Sequence, residues 1–201
     1  DNTIVILTSD HGEEFLEHGD FGHGGLIHLP NDGRARIKLY DELLHVPLIV
    51  RLPDGTGRGD TRHSLVSLID LAPTVTDLLG LEKPAQWQGT SLAPILRGDT
   101  DWIRDGVFSE YAVRDADARW PIVSYRTKRW KYIHDGFSQH HELYDLEADP
   151  HELHNLYAAG PTVLSNLQQK VREHLSFTDS SQVSVVETEL SPEVIERLKG
   201  L

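Results

Sequence analysis

The chain opens on a short, continuous apolar run, Thr3-Ile4-Val5-Ile6-Leu7-Thr8, rich in β-branched residues and without alternation. That pattern predicts a strand buried on both faces, as in a parallel sheet covered by helices. It ends in the polar turn Ser9-Asp10-His11-Gly12, and open α/β sheets bind ligands at the carboxyl ends of their strands. Residues 18–36 are rich in Gly and His, and Asn31-Asp32-Gly33 marks a turn, so this stretch reads as a long loop. Loops of that length in compact domains usually carry function. Residues 39–44 fit a helical turn, and Val46-Pro47-Leu48-Ile49-Val50 predicts a second strand. Pro47 puts that strand at an edge or leaves its first residues unpaired. Asp70 reads as the N-cap of a helix with Leu71, Val75, Leu78 and Leu79 on one face, stopped by Gly80. A shorter helix over 91–96 ends at Gly98.

From Asp105 the pattern changes. Residues 107–109, 122–126, 130–134 and 142–146 are short strand-like runs separated by turns, which predicts a small antiparallel meander. Leu164, Leu167, Val171 and Leu175 then recur at helical spacing, a face suited to packing on that sheet. A last helix is expected from Ser191, with Pro192 at its first position, to Leu198. The expected fold class is α/β: the end of a parallel α/β domain over 1–104, followed over 105–201 by a small antiparallel sheet with a packed helix.

Composition narrows the classes. Apolar residues make up 38% and charged residues 25%, a globular balance, and no apolar run approaches the roughly 20 residues that span a bilayer. The chain contains no methionine and starts one step before a strand, so a piece of a longer protein is expected. Cysteine is absent, which removes disulfides, thiolate metal sites and a cysteine nucleophile from these residues. The formal charge of −13, from 32 acidic and 19 basic side chains, argues against a nucleic-acid or anionic-membrane partner. Aspartate is abundant and lysine scarce, the balance of a salt-adapted protein whose surface repulsion is screened within ~3 Å at 1 M salt.

The chemistry concentrates near the first strand. Asp10 and His11 hang a carboxylate and an imidazole from one turn, and both can reach the same divalent cation. The competing reading has Asp10 capping the turn of Glu13, with His11 on the surface. His18 and His23 follow in the stretch His18-Gly19-Asp20-Phe21-Gly22-His23-Gly24-Gly25. Glycines let backbone approach a ligand, and imidazoles supply N–H donors to an anion. A flexible His-rich loop is the plain alternative, in a chain with twelve histidines.

Thr8-Ser9-Asp10-His11-Gly12, Glu17-His18-Gly19, Gly22-His23 and Val46-Pro47-Leu48-Ile49-Val50 together resemble the second half of the sulfatases of the alkaline-phosphatase superfamily. The resemblance continues through Ile69-Asp70-Leu71-Ala72-Pro73-Thr74-Val75, Gly89-Thr90-Ser91-Leu92 and Lys131-Tyr132-Ile133. It also takes in Glu142-Leu143-Tyr144-Asp145-Leu146, Asp149-Pro150, Glu152 and Asn155-Leu156, so it spans nearly the whole chain in order.

That resemblance implies a metal-dependent hydrolysis of sulfate esters on a small anionic substrate. Asp10 and His11 match the family's ligands for one divalent ion, with calcium, manganese, magnesium and zinc all open. His11, where the family often has asparagine, tilts the choice from calcium toward manganese or zinc. His23 stands where the family usually has a lysine that contacts the sulfate or phosphate, and it could stabilise the anion or protonate the leaving oxygen. Lys38, beyond an apparent insertion over 27–37, is a second candidate for that contact, and His18 matches a recurring histidine near the site. The family's nucleophile, its arginine partner and an acidic pair completing the metal site belong to an N-terminal half that these residues lack. A phosphoester hydrolase, a phosphotransferase or a non-catalytic relative on the same scaffold are the alternatives.

Overall fold

The computed structural model describes residues 2–19, 21–23, 38–115, 118–136 and 138–180. The turn expected at 31–33, the insertion at 27–37 and the helix expected at 191–198 lie outside the described residues. Residues 1–171 form one compact unit, and 172–201 a second.

Strand β1 (Val5–Thr8) pairs antiparallel with β4 (Leu48–Arg51), in the register Val5 to Arg51 and Thr8 to Leu48. The strands are where the sequence puts them, and their pairing with each other is antiparallel. Val5, Leu7 and Ile49 are 46, 54 and 62% exposed, and among the described residues β1 has no second neighbour.

Between them lies a small hairpin, β2 (Glu14–Phe15) and β3 (Phe21–Gly22), whose second strand falls in the loop expected over 18–36, with Gly19 and Gly22 at positive φ. Helix α1 (Asp41–Leu44) is the helical turn expected over 39–44. Its end approaches the turn after β1 so closely that a Cβ on Gly12 would sit 1.9 Å from the Glu42 carbonyl oxygen, while Gly12 N–H donates to Leu43 O at 2.8 Å. Only glycine fits there.

Helix α2 (Leu71–Leu78) ends just before Gly80, at φ +67°. Asp70 does not cap α2 through its side chain. It is fully buried, and its carboxylate accepts from Ser67 N, Thr90 N and Arg104 Nη2 at 2.7–2.8 Å. Helix α3 (Ala93–Arg97) ends on Gly98 in the left-handed region.

Strands β5 (Gly106–Asp115), β6 (Ala118–Thr127), β7 (Trp130–Asp135) and β8 (His141–Asp145) form the expected antiparallel meander, in the order β5-β6-β7-β8. Its central strands are buried on both faces, with Ile122, Val123, Ser124, Tyr132 and Ile133 at most 3% exposed, and Leu143 on the edge strand β8 is fully buried. One face packs Ile122, Ile133 and Tyr144 against Leu39 and Tyr40, so the segment entering α1 closes the core over the sheet. On the other, Tyr157 lies against Tyr132 and His141. Helix α4 (Leu164–Ser180) buries Leu167 and Val171, two of the positions its spacing marked.

Candidate active site

The turn after β1 carries Asp10 and His11. Asp10 Oδ1 accepts from His11 N at 3.0 Å, so the carboxylate is tied to its own turn and not to that of Glu13. The backbone N–H groups around it hold its pKa below the ordinary aspartate value, with His11 adding to that effect. His11 Nδ1 lies 2.9 Å from Gly12 O. A carbonyl only accepts, so Nδ1 carries the proton and Nε2 is left outward, the arrangement typical of a metal-binding imidazole. His11 Nε2 and Asp10 Oδ1 are 3.8 Å apart, a spacing open to two ligands each about 2.0–2.5 Å from one ion. The donor set, one carboxylate oxygen and one imidazole nitrogen, therefore fits a divalent metal; the remaining ligands must come from elsewhere.

The hairpin brings His23 to the same place. Its ring stacks on His11, with centroids 4.1 Å apart, and its Nδ1 lies 2.6 Å from Glu13 Oε1. The hairpin ladder explains the second contact: Glu14 faces Gly22 and Phe15 faces Phe21, and one further step sets Glu13 opposite His23. Asp10, His11 and His23 all border a cavity of about 1300 Å³ that also runs past Arg51, Arg58 and the Gly-rich loop over 54–60.

The structure sets the other two expected anion contacts apart from this group. Lys38 borders the cavity, yet its side chain is only 2% exposed and its ammonium donates to both oxygens of Glu14, at 2.7 and 2.8 Å, and to His18 O at 3.2 Å. An ammonium has three donors, and these contacts use them. His18 lies under the hairpin, its ring stacked on Tyr40 with centroids 3.7 Å apart and its Nε2 3.6 Å from Glu42 Oε2. Burial pushes its basicity below the ordinary histidine value, against the pull of Glu42 and Glu14. Both residues hold the underside of the hairpin whose outer edge carries His23.

That underside rests in turn on a buried charge network. Lys131, fully buried, donates to Asp41 Oδ1 and pairs with Glu152 Oε1, both at 2.9 Å. Arg126 donates to the same Asp41, and Glu152 accepts from Asp41 N at 2.6 Å. Glu152 has φ +55°, a left-handed conformation that costs a non-glycine residue energy and persists because these contacts fix it. Tyr40 and Tyr144 both donate to Glu142 Oε2. Glu13, Glu14, Asp41 and Glu42 were not marked by the sequence reading. A hairpin register over 13–23 would have placed Glu13 opposite His23; for the buried pairs no local signal exists.

Comparison with known proteins identifies the class. Residues 34–180 match the family model described as N-sulphoglucosamine sulphohydrolase, C-terminal. The chain is 32% identical over 190 residues to arylsulfatase K of Canis lupus familiaris, an alignment covering 88% of this chain and 32% of the relative. It is 33% identical over 183 residues to N-acetylglucosamine-6-O-sulfatase of Bacteroides thetaiotaomicron, covering 89% and 30%. A solved structure of a protein in complex with its substrate, D-glucosamine-2-N,6-O-disulfate, superposes with a TM-score of 0.72 at 29% identity, covering 90% of this chain and 36% of that one. A phosphonate monoester hydrolase from Silicibacter pomeroyi, TM-score 0.67 at 24% identity, shares the fold. The fold is that of the alkaline-phosphatase-like sulfatases, a metal-dependent class. The chain belongs to the sulfatase family, in its N-sulphoglucosamine sulphohydrolase C-terminal group. It spans about a third of the length of the curated relatives it matches. No helix among the described residues is long and apolar enough to cross a membrane.

Proposed function

We propose that the protein to which this chain contributes hydrolyses the sulfate ester of a sulfated saccharide, with the end of β1 and the adjoining hairpin forming one side of its active site. The observation that carries this is the convergence of Asp10, His11 and His23, with Asp10 Oδ1 3.8 Å from His11 Nε2 and the two imidazoles stacked at 4.1 Å. The saccharide follows the names of the relatives, an N-acetylglucosamine-6-O-sulfatase among them.

In this reading Asp10 and His11 supply two ligands of a divalent metal site that residues beyond this chain complete. A metal bound there supplies Lewis acidity toward the nonbridging sulfate oxygens. His23 presents an N–H to the sulfate or to the leaving oxygen, held in place by Glu13 on its other nitrogen. Lys38 and His18 anchor the hairpin and do not touch the anion. The nucleophile comes from outside these residues.

The test is the whole protein on an aryl sulfate and the matching aryl phosphate. Saturable sulfate hydrolysis that falls about 10²-fold or more in His23→Ala, with phosphate turnover far slower, supports the reading. Phosphate turnover exceeding sulfate turnover overturns it.

A further inference from the structure

Among the described residues, one trio of His, Cys, Asp or Glu side chains is grouped closely enough to hold an ion: His11, Glu13 and His23, each offering a ligand atom within 4.8 Å of the others. It differs from the Asp10–His11 pair in membership and in chemistry. Two imidazole nitrogens and a single carboxylate oxygen make a borderline donor set, which prefers zinc, copper or nickel to calcium or magnesium.

From this geometry we propose that His11, Glu13 and His23 form a binding site for a transition-metal cation of the zinc type. His11 is already prepared, since the bond from Nδ1 to Gly12 O leaves Nε2 outward. His23 and Glu13 meet at 2.6 Å, the separation of a strong hydrogen bond, and an ion bound by both takes the place of that bond. Zinc–nitrogen and zinc–oxygen distances of about 2.0–2.2 Å require the donors to close in by side-chain rotation. All three side chains are exposed, so the rotation meets little packing. Three protein ligands leave a fourth tetrahedral position to water.

The site stands on these contacts alone and does not depend on sulfate hydrolysis. Its consequence for the enzyme does rest on the function proposed above: one ion then takes both a ligand of the active-site metal and the proposed anion contact. Zinc occupancy and substrate binding would exclude each other.

Calorimetric titration of the 201-residue chain with zinc chloride tests the site, with circular dichroism checking that each variant keeps its fold. The expected result is one saturable site, weakened at least about 10-fold by Glu13→Gln and by His23→Ala, and not displaced by a large excess of calcium. His154→Ala, removing an exposed histidine beside Asp149, controls for binding at surface histidines and leaves the affinity unchanged. Absence of saturable binding overturns the proposal, as does an affinity that Glu13→Gln and His23→Ala both leave intact. Because the titration needs no turnover, its failure leaves sulfate hydrolysis standing, and failure of the aryl sulfate assay leaves the zinc site standing.

Discussion

Two of the three sheets described in residues 1–171, β5–β8 and the β1–β4 pair, differ in how far their apolar strands are buried. In β6, β7 and β8 the apolar residues are sealed on both faces, and the charged Lys131 and Glu142 among them, with Glu152 beyond β8, are at most 2% exposed, each with charged or tyrosine partners. In the β1–β4 pair Val5, Leu7 and Ile49 are exposed while Ile6, Leu48 and Val50 are half-buried, and the Asp10 side chain after β1 is 87% exposed. The charged groups under the β5–β8 sheet are therefore held in ion pairs and hydrogen bonds, whereas Asp10 at the turn after β1 is open. The hairpin is the seam: Glu14, His18 and Lys38 are on its buried side, Glu13 and His23 on its open side.

The largest effect should come from the sealed region. Lys131→Ala leaves Asp41 and Glu152 without their shared cation in a buried site, and removing one partner of such a pair costs about 3–5 kcal/mol. Urea unfolding of the chain measures it. A cost near zero would mean that this network is hydrated, and the contrast with the open region would fail.

The Lys38–Glu14 pair sharpens the assignment of Lys38 to anchoring. Lys38→Met alone strands a buried carboxylate and should cost about 3 kcal/mol, while Lys38→Met with Glu14→Leu should recover most of the loss, because apolar replacements of similar volume can match a buried ion pair. A double-mutant cycle reads the coupling. Independent, additive costs would release Lys38 from the pair and return it to the list of anion contacts.

A smaller effect is expected from pH. His134 and His141 lie opposite each other on β7 and β8, rings 5.0 Å apart, with Tyr132, Tyr157 and Asp135 around them. Burial lowers the basicity of both, with Asp135 opposing. Below the ordinary histidine value of 6.5 the unfolded chain therefore binds more protons than the folded one. Their contribution is fully present above 6.5 and is lost as pH falls toward the depressed folded values. His141→Gln should flatten the loss of the urea midpoint between about pH 6.5 and 5. An unchanged slope would place the acid-sensitive groups elsewhere, with His18 the next to test.

How much of this was legible follows the same division. The meander could be read because β6, β7 and β8 are short apolar runs bounded by turns, and such a sheet forms from neighbours in sequence. The Asp10–His11 turn could be read because strand end, carboxylate and imidazole are contiguous. The hairpin went unread, with β3 inside the loop expected over 18–36, because strands of two residues are too short to show alternation. The anchoring of Lys38 and the partners of Asp41 could not be read: Asp41 meets Lys131 and Glu152 across 90 and 111 residues. Asp70 shows the intermediate case. Its position before α2 suggests a cap, but its contacts to Thr90 and Arg104 lie 20 and 34 residues on.

The smallest effect should come from a pair that looks strong by geometry alone. Arg129 grips Asp145 with two nitrogens, Nε to Oδ1 at 3.1 Å and Nη2 to Oδ2 at 2.8 Å, and its guanidinium sits 5.0 Å from the centroid of the Trp130 ring. Those hydrogen bonds, more than its surroundings, hold the Asp145 carboxyl below the ordinary aspartate value. Arg104 makes a contact of similar length to Asp70, at 2.7 Å. The difference is solvent at the cation: Arg104 is 19% exposed over a fully buried Asp70, whereas Arg129 is 52% exposed over an Asp145 side chain at 11%. Water and salt screen an exposed pair, and holding two side chains in one geometry costs entropy, so such pairs add little to stability. Arg129→Ala should therefore move the urea midpoint less than any change above, and 1 M salt, with a screening length of ~3 Å, should erase what difference there is. Arg104→Ala, which strips a buried carboxylate of its cation, should move it clearly more. Equal losses from the two arginines would show that burial does not divide structural from surface charge in this molecule, and the contrast between its two regions would rest on apolar packing alone.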